Sequence, residues 1–365
     1  MKIGIITQPL ACNYGGILQN YALQQVLKRM GYEVWTIDYN AFGWLRWLDS
    51  AWRVVAHKLL GHKAQFTPTP PQRRQREMPL RRFALKHINL TTPRTCHFER
   101  DVVRKYAFDA IVVGSDQVWR PQYNYKVEDC FLQFLKSQPI KRVAYAASFG
   151  TDEWEFSAQQ AQCCRALVKQ FDGISVREKS GIRLCKEHLG VDVVQTIDPT
   201  LLLHAEDYTQ LCKDIPRRKP FVFAYILDQS EEKLQQIKRF AAQQGLDYFI
   251  KSADSSVAAD DSIELWLSYF RDAAYVITDS FHGTAFAINF NKSFYVFGNA
   301  SRGNSRFDSL LSSLHLQERI ISGEIPQENA SIDWKEVNAL REAEVERALG
   351  WLEGGKQSKK GIHNH

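Results

Sequence analysis

A chain of 365 residues, 44% hydrophobic and 24% charged, carries too much apolar mass to be disordered and is too long for one ordinary core, so two domains are expected. No apolar run reaches the roughly 18 residues of a spanning helix, and the opening MKIGIITQ reads as a strand rather than a secretion signal, which points to the cytoplasm. The formal charge of +6 is concentrated, with Lys and Arg crowding residues 46–94 and the remainder slightly acidic, a statement about partners rather than fold.

In chain order, KIGIITQ is a buried strand and ILQNYALQQVLKRM a helix, with Ile17, Leu18, Tyr21, Leu23, Leu27 and Met30 mostly at helical spacing and Gly31 as its stop. YEVWTIDYN follows as a strand, completing a βαβ unit of the kind found in parallel sheets. Residues 43–90 interrupt the pattern. Within them GWLRWLDSAWRVVAHKLL reads as a helix rich in tryptophan (Trp44, Trp47, Trp52), and TPTPPQRRQREMP as a proline-rich, basic loop. Strands are expected over 110–114, 142–147, 173–177 and 193–197.

After the charged seam DPTLLLHAEDYTQLCKDIPRRKP a second series begins. FVFAYIL, LDYFIK, AYVITDS and SFYVFG read as strands, with EEKLQQIKRFAAQQG, SIELWLSYFRDA and GTAFAINF as helices between them. The fold class is therefore α/β: two Rossmann-like, doubly wound domains, 1–208 and 209–330, facing one another across a cleft. A helix over 331–354 and a disordered tail, 355–365, close the chain.

Seven cysteines (Cys12, Cys96, Cys130, Cys163, Cys164, Cys185, Cys212) form no CxxC pair and no metal spacing; the odd count argues for reduced thiols. Cys12 as a nucleophile is a weaker reading than an incidental thiol.

Ligands of doubly wound sheets gather beyond the carboxyl ends of the strands. Five clusters fall at such places. In QPLACNYGGILQNY, Gly15 and Gly16 let backbone approach a ligand, Asn13 can bond a hydroxyl or phosphate, and the following helix offers free amides; a capped, tight turn is the structural alternative. In IVVGSDQVW, Ser115 and Asp116 follow a strand, Asp116 being able to orient or deprotonate a sugar hydroxyl and Trp119 to stack on a sugar ring. Against this stand a turn aspartate and a core tryptophan. Arg177 in ISVREKSG can grip a carboxylate or phosphate with two parallel hydrogen bonds, or merely pair with Glu178. His282 in TDSFHGTAFA sits at a strand-to-helix junction, where an imidazole can exchange protons near neutral pH or serve only in a helix cap. Arg302 and Arg306 in GNASRGNSRFDSLL add positive charge near that loop, unless Asp308 takes it up.

Seven of these stretches, NYGGILQNYALQQVLKRMGYEV, GSDQVW, YAASFG, SVRE, DPTLLL, TDSFHGTAFAINF and NSRFDSLL, together resemble the polysaccharide pyruvyl transferase family, in the family's order over about residues 1–315. The resemblance implies a GT-B-like fold with the site between its domains. It implies transfer of pyruvate from phosphoenolpyruvate to two hydroxyls of one sugar, as in exopolysaccharide or capsule synthesis, giving a cyclic ketal and phosphate. His282 matches the histidine of the family's Ser-Arg-Leu-His motif, as protonated acid, with Asp116 assisting. Arg177 matches its strand-end arginine, and Ser280, Phe281 and Gly283 fall in the same donor-binding stretch. Ser280 stands where the motif has an arginine, and Arg306, or else Arg302, is expected to replace it. Asn13, Tyr14, Gly15, Gly16, Ser115 and Trp119 are left for the acceptor.

No metal or organic cofactor is expected, phosphoenolpyruvate being a co-substrate. The acceptor is a glycan, free or lipid-linked. Through 43–90 the protein can meet an anionic membrane at its inner face, though burial of the tryptophans explains that segment as well. Two rivals remain: a GT-B glycosyltransferase using a nucleotide sugar, for which no clear acidic ribose clamp lies at the right place although Asp254, Asp260 and Asp261 are nearby in sequence, and a non-catalytic sugar-binding protein. Nucleic-acid binding ranks last, since no recognition motif accompanies the basic segment.

Overall fold

The structure is a computed structural model describing the chain apart from residues 12, 40–51, 53–68, 96–97, 125, 137, 253–260, 299–304, 327–330 and 355–365, and apart from the side chains of 70, 73 and 76. Cys12, Arg302, Trp44, Trp47, Asp254, Asp260 and the tail thus lie outside the described residues, as does the insertion up to residue 68 except Trp52, which is exposed.

The first sheet is built from β1 (Lys2–Ile6), β2 (Glu33–Thr36), β3 (Ala110–Val113), β4 (Lys141–Ala147), β5 (Gly173–Val176) and β6 (Val194–Gln195), in the order β2-β1-β3-β4-β5-β6. The second takes β7 (Val222–Tyr225), β8 (Tyr248–Lys251), β9 (Tyr275–Thr278), β10 (Ser293–Phe297) and β11 (Ile320–Ile321), in the order β11-β10-β9-β7-β8. Every pairing is parallel. Strands such as β3 and β7 are buried at every residue, as sheets covered on both faces require. Each sheet reverses its winding once, between β1 and β3 and between β7 and β9, and the carboxyl ends at such reversals form the crevice where ligands bind. The fold is thus two Rossmann-like domains of GT-B type.

Helix α1 (Tyr14–Arg29) starts where the Asn13 carboxamide accepts from Gly16 N at 3.1 Å, and the chain turns at Gly31, φ +85°. Its polar residues are buried too. Gln19 donates to Thr7 Oγ1 at 2.7 Å, Asn20 to Thr36 Oγ1 at 2.9 Å and Gln24 to Asn89 O at 3.1 Å, because β2 and the following helix wall off what its sequence presents as a solvent face.

That following helix corrects the basic loop expected from TPTPPQRRQREMP: residues 70–87 are α2 (Pro70–His87). Prolines in a first turn forfeit no hydrogen bond, Thr69 N donates to Gln72 Oε1 at 3.0 Å, and Leu80, Phe83 and Ala84 face the core. Two of the segment's cations are paired with carboxylates, one buried and one half-buried. Arg81 is buried against Asp38, and Arg94 lies 3.3 Å from the same carboxylate and 3.8 Å from Glu77. Helix α3 (Arg100–Tyr106) and strand β11 were not foreseen; α4 (Ala158–Val168), α5 (Lys179–Leu184) and α6 (Ala205–Leu211) complete the first half.

The second half carries α7 (Glu231–Gln243), α8 (Ile263–Asp272), α9 (Phe281–Asn289), α10 (Ser305–Ser313) and α11 (Trp334–Gly354). One apolar cluster runs through both domains. Tyr14 of α1 stacks on Trp266 of α8, centroids 5.2 Å apart, and meets Tyr225 edge-on at 6.2 Å. Lys179 N donates to Ser309 Oγ at 3.0 Å, and Asn289 donates to Leu203 O at 2.7 Å. Helix α11 returns to the first domain, bringing Trp351 within 6.1 Å of Tyr145. Among the described residues no helix is long and apolar enough to cross a membrane.

Candidate active site at the seam between the domains

The ends of β1, β3, β5 and β6 meet the start of α9. Helix α9 begins at the end of β9, where the Ser280 hydroxyl accepts from Gly283 N at 3.3 Å and so aims the first turn at the other domain. His282 lands on the first turn of α1. A β-carbon built on Gly15 would lie 2.0 Å from His282 Nδ1, so the glycine's missing side chain is the space the imidazole occupies. Asp116 comes up beside the next residue, its Oδ2 3.1 Å from where a Gly16 β-carbon would sit. Asp116 itself holds a left-handed backbone, φ 75°, a conformation costly for a side-chain-bearing residue and met mostly where the surroundings enforce it. Here Ser148 N and Val118 N both donate to its carbonyl, at 3.1 and 2.7 Å.

Arg177, at the end of β5, is fixed from two directions. Its Nη1 donates to Asp198 Oδ2 at 2.7 Å, and its guanidinium lies 4.2 Å over the Phe281 ring of the other domain. Its Nε and Nη2 are buried without a hydrogen-bond partner. Asp198 also accepts from Ser115 Oγ at 2.9 Å and stands 3.9 Å from His282 Nε2. Arg306, on the first turn of α10, is buried within electrostatic range of Arg177, Glu178 and Asp116. Burial, then Arg177, push its pKa down to about 10, so it remains a cation at neutral pH.

The electrostatics revise the expectation of a protonated His282. Burial, reinforced by Arg177 and Arg306 and opposed by Asp198 and Asp116, lowers its pKa from the ordinary 6.5, which favours the neutral imidazole at pH 7. Burial alone would raise the Asp198 carboxyl; Arg177, and to a lesser degree His282, hold it below the usual carboxylate range.

The structure thus brings together Gly15, Gly16, Ser115, Asp116, Arg177, Phe281, His282 and Arg306. Five other candidates have structural work. Trp119 is a correction: it is fully buried, stacks on Phe131 at 4.7 Å and donates to Cys130 O, leaving no face for a sugar. Tyr14 packs in the aromatic seam described above, Asn13 and Ser280 are helix caps, and Gly283 is small because Thr278 Oγ1 would lie 2.3 Å from its β-carbon. The exposed aromatic on the Asp116 loop is instead Tyr123, 49% exposed, with the Arg120 guanidinium 4.8 Å from its ring. Arg120 is clamped by Glu155 through bonds of 3.0 and 2.9 Å.

Asp198 and Glu178 were not singled out from sequence. Glu178 Oε1 accepts from Ser148 Oγ, Phe149 N and Gly150 N at 3.0, 2.7 and 3.2 Å, tying SVRE to YAASFG. A carboxylate at a strand end, as in DPTLLL, was the available signal. Asp279, by contrast, is spent on Leu227 N, Asp228 N and Lys233. Among the described residues no group of three His, Cys, Asp or Glu is placed to hold a metal.

The cavity touching Arg177, Asp198 and Phe281 has a volume of about 20 Å³, room for a water.

No curated protein matches the chain. Among solved structures, Arabidopsis thaliana UGT89C1, complexed with UDP-L-rhamnose, aligns with TM-score 0.51 and 11% identity over 96% of this chain and 98% of that one. S. aureus MnaA, solved with UDP, aligns with TM-score 0.48 and 11% identity over the full length of both chains. At such identities the first likeness speaks for the fold alone, in agreement with the two doubly wound domains. The family model of polysaccharide pyruvyl transferases matches residues 13–301, which include Gly15, Gly16, Ser115, Asp116, Arg177, Asp198, Phe281 and His282 but stop short of Arg306, and the chain belongs to that family.

Proposed function

We propose that this transferase moves pyruvate from phosphoenolpyruvate to two hydroxyls of one sugar, as a cyclic ketal, with release of phosphate. The observation that carries the reading is the meeting of His282 with Arg177, Arg306 and Asp116 at one seam, an imidazole beside two guanidiniums and a carboxylate. Two cations suit a donor with both carboxylate and phosphate, and the free Nε and Nη2 of Arg177 are the edge that binds such groups in pairs.

The donor's negative charge raises the affinity of His282 for a proton, offsetting the burial that favours its neutral form. The imidazolium then delivers that proton to the methylene carbon, which becomes the methyl group. One sugar hydroxyl adds to the central carbon, its proton passing to Asp116 or back to His282. The C–O bond to phosphate breaks, the second hydroxyl closes the ketal, and its proton leaves with phosphate. Arg177 and Arg306 stabilise charge in a seam that excludes water. No cofactor takes part. Tyr123, rather than Trp119, offers the acceptor a ring face.

The acceptor we propose is a glycan, including a lipid-linked one, met in the cytoplasm at the inner face of the membrane. The exposed face of α2, with Arg74, Arg82, Lys86 and the 59% exposed Leu85, supports contact with anionic lipid, and flotation with vesicles containing or lacking anionic lipid tests it.

The decisive experiment incubates the protein with phosphoenolpyruvate and a panel of glycans, reading phosphate and a mass gain on the sugar. Phosphate with a ketal product supports the reading. Thermal protection by a nucleotide sugar but not by phosphoenolpyruvate would instead favour a glycosyltransferase.

A further inference from the structure

We propose that Asp198 is the positioning residue that joins the two walls of the site, fixing the guanidinium of the first domain and the tautomer of the imidazole supplied by the second. For its catalytic consequence this rests on the pyruvyl-transfer reading; for its geometry it does not.

The carboxylate is itself immobile. It is 1% exposed, and both oxygens are engaged. Oδ1 accepts from Thr200 N at 2.9 Å and from Thr200 Oγ1 at 2.7 Å, the turn at Pro199–Leu201 being capped by it. Oδ2 accepts from Ser115 Oγ at 2.9 Å and Arg177 Nη1 at 2.7 Å. A buried carboxylate held at four points is a fixed reference for whatever approaches it.

What it does to Arg177 is selective. By taking Nη1 alone, with Phe281 covering one face, Asp198 leaves the Nε–Nη2 edge without a partner although it is buried. Such orphaned donors are costly in a folded protein, and a chain that keeps them in so rigid a setting has them set for an anion. An arginine paired through both nitrogens of one edge would offer the ligand less.

Toward His282 the same oxygen stands 3.9 Å from Nε2, which is also buried and without a partner. A small approach of the ring brings that pair to hydrogen-bond distance. The carboxylate only accepts, so it selects the tautomer with hydrogen on Nε2 and leaves Nδ1, the nitrogen over Gly15, to give and take the proton. Asp198 stays ionised throughout. The other charges facing the ring are Asp116 from the loop after β3, Arg177 from β5 and Arg306 from α10.

The test uses the full chain with nitrogen-15 histidine, following the ring nitrogens through a pH titration; the His282 signals are those missing from His282→Gln. In the unaltered protein, near neutral pH, the shifts should report hydrogen on Nε2. Asp198→Asn, which keeps shape but removes charge, should lower the affinity of His282 for its proton about tenfold or more, because a partner carboxylate favours the charged ring. Hydrogen on Nδ1 in the unaltered protein, or an unchanged titration in a folded Asp198→Asn, overturns the proposal. Should that variant not fold, the tautomer measurement decides alone. If no glycan yields phosphate from phosphoenolpyruvate while the nitrogen data come out as stated, the pyruvyl-transfer reading fails and the role of Asp198 in holding the ring stands.

Discussion

Gly15 and His282 share one space: the first turn of α1 lacks a side chain where the imidazole of the opposite domain enters, with Nδ1 2.0 Å from the β-carbon an alanine would carry. Gly15→Ala is therefore expected to push the ring out of the seam, at a cost of about 1–3 kcal/mol, as overpacking does. Phosphate release should be lost with it. Gly350→Ala, whose added carbon meets nothing within 4 Å and which lies inside α11, should melt at or above the parent. Melting curves and turnover of the pair check this; a Gly15→Ala protein that melts and reacts like the parent would show that the ring is not held there.

Removing the imidazole by His282→Gln should slow phosphate release about 10²–10⁴-fold, the range for a lost general acid or base. It should also change how stability responds to acid. The pKa of His282 is lower folded than unfolded, so its contribution is complete above about 6.5 and is lost as pH falls toward the folded value. Asp198 behaves likewise in a more acidic window, from its ordinary 3.8 downward. Between pH 7 and 5 the parent should lose stability faster than His282→Gln, as denaturant midpoints would reveal; parallel curves would mean that the ring titrates alike in both states.

Donor binding should take up a proton. Around His282 two guanidiniums, Arg177 and Arg306, are already offset by two carboxylates, Asp198 and Asp116, so an incoming anion shifts the ring toward its charged form. Calorimetry of phosphoenolpyruvate binding in buffers of different ionisation enthalpy should record more proton uptake for the parent than for His282→Gln. Equal uptake would detach the ring from donor binding.

The two aromatics of the Asp116 loop should part company on substitution. Trp119→Ala empties a core site and is expected to destabilise by about 3–5 kcal/mol. Tyr123→Ala removes an exposed ring and should cost under about 0.5 kcal/mol. By phosphate release, Tyr123→Ala should raise KM for the glycan and leave KM for phosphoenolpyruvate unchanged. A shift in the donor constant instead would place Tyr123 on the other side of the reaction.

Much of the architecture was legible before any coordinates. Apolar runs such as AIVV and FVFAYIL, and glycine or polar breaks after them, are local signals, and local backbone preferences are what periodicity records. The basic stretch at 70–87 misled because prolines and charges mark a loop by composition, whereas first-turn prolines and the Asp38–Arg81 pair make it a packed helix. At the site, His282, Arg177 and Asp116 were found as polar residues at strand ends. Trp119 could not be told from a sugar platform, since stacking and burial ask for the same side chain. Asp198 was passed over for the same reason in reverse, because nothing near it in sequence reveals that Arg177, Ser115 and His282 close around it. Sequence alone determined most of the elements, their alternation and the family, all of which follow from short-range pattern. Which distant residues share one buried volume depends on how two sheets dock, and only the tertiary structure decided that.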